Sequence, residues 1–218
     1  MTAYVLMAAG IGRSMQTKGS KSILPYGSEK IIDFQIRTIL DFDKSADITV
    51  VLGFKSKLVT EHLVSKKHDV RIVYNPLYDL NSQTDSLRIG INSLRKTSFY
   101  IIHGDVIFNE AALKIKRGRS GVMVDTHHKN LKGVGLSYGD TVLNLSYGLP
   151  KKWGQIAYIA RDDYDEAVKV INGFKVNRCT FEYLNMLNES FGLIPYVSER
   201  AKMIEINKNY ENASYKQP

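Results

Sequence analysis

Between residues 4 and 103, four short apolar runs alternate with three stretches of helical periodicity, and few architectures are open to a chain patterned this way. Tyr4 to Ala8, Ile48 to Leu52, Val70 to Tyr74 and Phe99 to His103 have the length and apolar content of buried strands. The apolar spacing of Ile31, Ile32, Phe34, Ile36, Ile39 and Leu40 predicts a helix, and further helices are predicted over Lys57 to Ser65 and Thr84 to Leu94. Such alternation argues for a parallel sheet with helices on both faces, since parallel strands need crossover connections. The expectation is an α/β fold in three α/β/α layers, Rossmann-like, around a mixed and mostly parallel sheet.

Past residue 120 the pattern changes. Gly121 to Asp125, Gly133 to Tyr138, Thr141 to Ser146 and Gln155 to Ile159 are strand-like, with Gly139-Asp140 as a hairpin turn, so this half should add antiparallel strands or cover one end of the sheet. One helix should open at Asp162-Asp163, whose side chains can cap free N–H groups, and another should span Cys179 to Glu189. Strands near Leu193 to Val197 and Lys202 to Ile206 close the pattern before a polar tail from about Tyr210. No Pro/Gly/Ser-rich linker, repeat or low-complexity tract divides the chain. A single domain is expected over 1–218.

The chain carries 30 basic and 22 acidic residues, a net charge of +8, which favours polyanionic ligands but also serves solubility alone. Its densest basic cluster, Lys114, Lys116, Arg117 and Arg119, lacks interleaved aromatics that would stack bases, so no nucleic-acid partner is expected. The apolar run from Ala3 to Ile11 is too short for a membrane span. With one cysteine, Cys179, and five histidines at no zinc-binding spacing, a soluble protein of the reducing cytoplasm fits best.

The residues richest in chemistry stand where the first strand ends. Ala8, Ala9, Gly10 and Gly12 let backbone N–H groups approach a phosphate, and Arg13, Lys21 and their neighbours bring positive charge; an ordinary tight turn is the plain alternative. Met15 stands where a dinucleotide fingerprint needs glycine, and Gly19-Ser20-Lys21-Ser22 misses a Walker A loop by one residue. Asp105 follows an apolar run, so its carboxylate should emerge at the carboxyl end of a strand, where open α/β sheets bind ligands. It suits Mg²⁺, or it caps a following helix.

Leu6-Met7-Ala8-Ala9-Gly10-Ile11-Gly12-Arg13-Ser14-Met15, then Lys21-Ser22-Ile23-Leu24-Pro25, resembles the opening of the nucleotidyltransferases of sugar-phosphate, choline-phosphate and molybdopterin type, which have the GT-A fold. The resemblance continues through Val51-Leu52-Gly53-Phe54, Tyr74-Asn75-Pro76, Asn81 to Leu87 and Gly104-Asp105-Val106. It implies that Gly10, Gly12 and Arg13 cradle a triphosphate with Ala8, Ala9, Ser14 and Gly104 alongside, that Lys21 meets its charge, and that Asp105 anchors Mg²⁺. Ser14 stands where the family has arginine. Asn207 stands where many relatives have a second metal-binding aspartate, with Glu205 on the same strand face.

Asn81 and Ser86 belong to the segment that resembles the family's base-recognition stretch, and Asp85 to Gly90 most resembles members that transfer a cytidylyl group. A helix cap is the plain alternative there. Residues 1–118 are expected to bind the nucleotide and 119–210 a phosphorylated sugar, alditol or choline. The resemblance implies acceptor contacts at Asp125, where choline-phosphate members have an acidic residue, and at Lys151 and Trp153, which with Lys152 and Tyr147 lie near the family's second phosphate-contacting lysine. Trp153 and Tyr158 would make an aromatic wall for a quaternary ammonium, unless Trp153 is simply core. A glycosyltransferase of the same fold and a nucleotide-binding protein without turnover are the alternatives. Asp163-Tyr164-Asp165 has a glycosyltransferase-like spacing but is explained by a helix start. The assembly is open, a homodimer included.

Overall fold

The computed structural model describes residues 1–11, 19–80, 83–115, 118–130, 133–139, 143–174 and 178–206. Its centre is β1 (Ala3–Ala8), a run without charged residues, as expected for a strand covered on both faces. After the short pair β2 (Pro25–Tyr26) and β3 (Glu29–Lys30) come α1 (Ile31–Phe42), β4 (Asp47–Leu52), α2 (Ser56–Ser65), β5 (Arg71–Tyr74), α3 (Gln83–Asn92) and β6 (Phe99–His103). β1 pairs in parallel with β4 on one side and β6 on the other, and β5 extends the sheet beyond β4. The predicted alternation of four strands and three helices is therefore present.

The second half contributes β7 (Val106–Phe108), β8 (Gly121–Lys129), β9 (Val134–Tyr138), β10 (Leu143–Tyr147), β11 (Lys151–Ile159), α4 (Tyr164–Gly173), α5 (Thr180–Phe191), β12 (Ile194–Val197) and β13 (Met203–Glu205). Ile156 to Ile159 of β11 pair antiparallel with β6, and β11 also pairs with β8 and with β9. β12 lies parallel to β8, and β9 is antiparallel to β10. Of the nine strands that the described residues contribute to this sheet, β10 and β11 run against the other seven. The sheet is mixed and mostly parallel, as expected.

Alternation along β1 divides the core. Tyr4, Leu6 and Ala8 pack with Ile32, Ile36 and Ile39 of α1 and Val59 and Leu63 of α2. Ala3 and Val5 face the other way, toward Leu87 and Ile91 of α3, Ile171 of α4 and Tyr183 and Leu187 of α5. This is the three-layer arrangement.

Several boundaries depart from the sequence expectation. β11 begins four residues earlier than the predicted Gln155, because register shifts between Trp153 and Ala157, with Gln155 at φ 58°, break the alternation that marks a strand. β13 joins β7 in a separate two-stranded sheet. The carboxylates before α4 do not cap it through a side-chain hydrogen bond; Asp163 instead accepts one from Ser120 Oγ at 2.5 Å. The Gly139-Asp140 turn lies partly outside the described residues, although the antiparallel pairing of β9 and β10 agrees with it.

Candidate active site

Adjacent parallel strands end on the same side of a sheet, so the turn after β1 and the turn after β6 are brought together by topology. Gly104 N–H donates to Met7 O at 3.0 Å, and a Cβ on Gly104 would lie 2.7 Å from that oxygen, so only glycine lets the turns approach this closely. Asp105 follows. The next element is β7, which excludes the helix-capping alternative for its side chain.

Lys21 opens a short 3₁₀ turn, and its Nζ donates to Asp105 Oδ2 at 2.8 Å and to Ile206 O at 3.0 Å. The two side chains expected to hold a triphosphate and its metal are thus within reach of one another. Both line a cavity of about 630 Å³ with Ala8, Ala9, Gly10 and Gly104.

The opposite wall comes from the amino ends of α3 and α5. Ser86 lines the cavity within the first turns of α3, which begins at Gln83, and its Oγ accepts a hydrogen bond from Asn75 Nδ2 at 2.9 Å. Gln83 Oε1 accepts from Thr180 N–H and Oγ–H, which stitches α3 to α5. Glu182 accepts from Arg178 Nη1 at 2.7 Å and from Cys179 N–H at 2.8 Å. Burial raises its carboxyl, but those two partners more than reverse this and hold it below the usual carboxylate range. Burial, then the charge of Glu182, push the Cys179 thiol up, so it is no ready nucleophile.

Gln83, Arg178, Thr180 and Glu182 also line the cavity, and no sequence motif marks them individually for it. The Cys-x-x-Glu capping box signals a helix start, but nothing local signals that this start faces residues a hundred positions earlier.

The expected acceptor residues lie elsewhere. Asp125 is buried in β8, accepts from the backbone N–H groups of His127 and His128 and from His128 Nδ1, and has Lys152 Nζ at 3.7 Å. Trp153 is 4% exposed and meets the His103 ring edge to face, so its plain role as core holds and it offers no open aromatic wall. Tyr158 is likewise buried, tilted against Tyr100. Asp125, Lys152, Trp153 and Glu205 border a small recess beside Val106, while Lys151 places Nζ 3.5 Å from the Tyr138 ring centre and does not line the cavity. Gly12, Arg13, Ser14, Asn81 and Asn207 lie outside the described residues.

Asp105 offers a hard oxygen donor at the cavity, and among the described residues no hydrogen bond occupies its Oδ1. That donor fits Mg²⁺, which takes one or two carboxylates and completes its shell with phosphate oxygens and water. No group of three or more His, Cys, Asp or Glu among the described residues could hold a metal by itself. Asp163 and Asp165 are engaged by Ser120 and Lys96. No helix among the described residues is long and apolar enough to cross a membrane.

Residues 4–117 match the family of MobA-like NTP transferase domains. No curated protein matches the chain in sequence. Among solved structures, the chain is similar to the CTP:phosphocholine cytidylyltransferase LicC from Streptococcus pneumoniae, with a TM-score of 0.74 and 17% identity over 94% of this chain and 93% of that one. It is also similar to the inositol-1-phosphate CTP transferase from T. maritima, with a TM-score of 0.69 and 14% identity over 94% and 89%. A nucleoside-diphosphate-sugar pyrophosphorylase from Vibrio cholerae has a TM-score of 0.68 at 9% identity over 93% and 94%. At such identities these structures share the fold.

Proposed function

The chain belongs to the family of MobA-like NTP transferase domains, and from that membership we propose that it transfers a nucleoside monophosphate from a triphosphate to a phosphorylated small molecule, releasing pyrophosphate. The observation that carries this reading is the Lys21–Asp105 pair inside the cavity. Each member neutralises the other, and a magnesium-bound triphosphate offers both a replacement: phosphate oxygens for the ammonium, the cation for the carboxylate. In this reading Asp105 is a catalytic ligand to Mg²⁺, with Asn207 as a further ligand by family resemblance. When bound, Mg²⁺ would neutralise phosphate charge and help fix the geometry of in-line displacement.

The chain's own groups do the rest. The backbone at Ala8, Ala9 and Gly10 lies at the strand end where the polyphosphate would pass, joined by Gly12, Arg13 and Ser14 in the family pattern. Ser86 and Asn81 belong at the base end, and Gly104 keeps the two turns together. Residues 1–118 would hold the nucleotide and 119–210 the acceptor, with Asp125 reaching the Asp105 turn through Lys152 and Glu205. An acceptor phosphate has its second pKa near 6 and is mostly dianionic at pH 7, so its oxygen can attack the α-phosphorus without a dedicated base. Alignment and charge neutralisation then supply the catalysis.

CTP is the preferred donor in this reading, from the resemblance of Asp85 to Gly90, and a sugar phosphate, alditol phosphate or choline phosphate is the acceptor. Incubating the protein and Mg²⁺ with each of four triphosphates and a panel of such acceptors, with pyrophosphate detection, tests it. The expected result is pyrophosphate release that depends on one donor and one acceptor. Triphosphate binding without release from any pair would reject turnover and leave a nucleotide-binding protein.

A further inference from the structure

Gln35 sits in α1, outside the cavity lining, and is 1% exposed. Its Nε2 donates to His103 O at 3.0 Å and to Val106 O at 2.8 Å. Those carbonyls bracket Gly104-Asp105, so one side-chain amide spans the turn that carries the carboxylate. Its Oε1 is buried with no hydrogen-bond partner among the described residues. A buried orphan acceptor is unfavourable, and the arrangement is explained by what the two donated hydrogens hold.

The remaining ties on that turn are the Lys21 ammonium on the Asp105 carboxylate and backbone bonds to the end of β1 and the residue after β13. Gly104 N–H reaches Met7 O, and Ile206 N–H reaches Asp105 O at 2.7 Å. Among the described residues Gln35 is its one hydrogen-bond tie to an α-helix, and the same helix also holds the segment that bears Lys21: Ile31 N–H at the start of α1 donates to Leu24 O at 3.0 Å, just after the 3₁₀ turn over Lys21–Ile23. α1 is therefore fastened, four residues apart, to the segment that follows Lys21 and to the turn that carries Asp105.

We infer that Gln35 is a positioning residue, setting the direction of the Asp105 carboxylate relative to Lys21. The inference rests on the proposed use of Asp105 toward a magnesium-bound triphosphate. A site that depends on alignment is sensitive to small displacements of such a group.

The test compares wild type with Gln35→Met, which keeps the side chain's length and removes both donors, alone and with Asp105→Asn. Affinity for Mn²⁺ in the presence of CTP, read by electron paramagnetic resonance, is measured beside kcat, the Mg²⁺ concentration for half-maximal rate, and Tm. Gln35→Met is expected to weaken Mn²⁺ binding and raise the Mg²⁺ requirement about tenfold, and to lower kcat at least tenfold, with acceptor KM little changed. In the Asp105→Asn background it should cost no further Mn²⁺ affinity or rate, although the Tm losses still add.

A lowered Tm with unchanged kcat, Mg²⁺ requirement and Mn²⁺ affinity would overturn the inference, as would losses that simply add to those of Asp105→Asn. Should Gln35→Met not fold, Gln35→Glu keeps the shape and, protonated, one donor; it should give a smaller loss of the same kind, and wild-type Mn²⁺ affinity and kcat in it would overturn the inference. Failure of wild type itself to bind Mn²⁺ with the triphosphate is the separate result that would overturn the proposed function, and this inference with it.

Discussion

Lys21 and Asp105 are 16% and 26% exposed in their side chains, so solvent screens much of their attraction. A part-exposed pair of this kind contributes about 1 kcal/mol or less to stability. The same two groups, set against a triphosphate and its metal, would act on charge that develops during transfer, where one removed donor costs roughly a hundredfold or more in rate. Lys21→Ala and Asp105→Asn should therefore each leave Tm within a few degrees of wild type while cutting pyrophosphate release at least a hundredfold. They should differ in one respect. Without its ammonium competitor, Asp105 in Lys21→Ala should bind free Mn²⁺ more tightly but the Mn²⁺–triphosphate complex more weakly, whereas Asp105→Asn should weaken both. Titrations with and without triphosphate check this. Both residues could be named in the sequence because family motifs mark them and a strand end positions them. Trp153 and Asp125 could be named by alignment, but their surroundings could not: the hydrogen bonds from His127 and His128 that satisfy Asp125, and the His103 ring against Trp153, are products of tertiary packing.

At the level of elements, apolar runs and helical periodicity revealed β1, β4, β5, β6 and the three helices between them; β1, β4 and β6 are buried along most of their length, whereas β5, outside β4, is only partly covered. It could not reveal β2, β3 and β7, which are two or three residues long and so carry no period, whereas the strand expected near Lys202 to Ile206 is present as β13. Nor could it show how α1 is held to α2. Asp33, buried in the first turn of α1, accepts from Lys30 N–H and from Nε2 of both His62 in α2 and His68 beyond it, at 2.7 to 3.2 Å. Burial alone would raise this carboxyl, but the hydrogen bonds from His68, His62 and Lys30 outweigh it and leave the carboxyl below its ordinary value of 3.8. A carboxyl depressed by folding stabilises the native state above that ordinary value, and the contribution disappears as pH falls through the folded value. Asp33→Asn should therefore destabilise the protein by roughly 1–3 kcal/mol at pH 7, the range for stranding buried polar partners. The gap from wild type should narrow below about pH 4, where Asp33 of the unfolded chain begins to protonate, and close as pH falls through the lower folded value. Denaturant unfolding at pH 7, 5 and 3.5 measures it, and a gap that fails to narrow between pH 5 and 3.5 would refute the assignment.

For the whole molecule, the proposed division into a nucleotide half and an acceptor half would be a division of labour within one cooperative structure. β11, from the second half, is hydrogen-bonded along β6, from the first, so cutting the chain near residue 118 would expose the buried edge of Phe99 to Ile102. The core layer around Val5, Leu87 and Phe99 is completed by Ile159, Ile171 and Tyr183. Arg88 Nη2 donates to Phe174 O at 2.9 Å, and Tyr164 OH donates to Leu94 O at 3.1 Å, so polar groups also cross the division. Trp153, the single tryptophan, lies in the second half against His103 of the first and reports on that junction. Its fluorescence and the far-ultraviolet circular dichroism of the sheet and helices should lose their native signals at the same denaturant concentration. Calorimetry should give a van't Hoff enthalpy equal to the calorimetric one, about 150 kcal/mol for a chain of this length near 60 °C. Two independently folding halves would instead give a tryptophan transition displaced from the circular dichroism and a van't Hoff enthalpy near half that value. Since the cavity takes one wall from the β1 and β6 turns and the other from the starts of α3 and α5, the coincident outcome also requires triphosphate binding to disappear in that same single step.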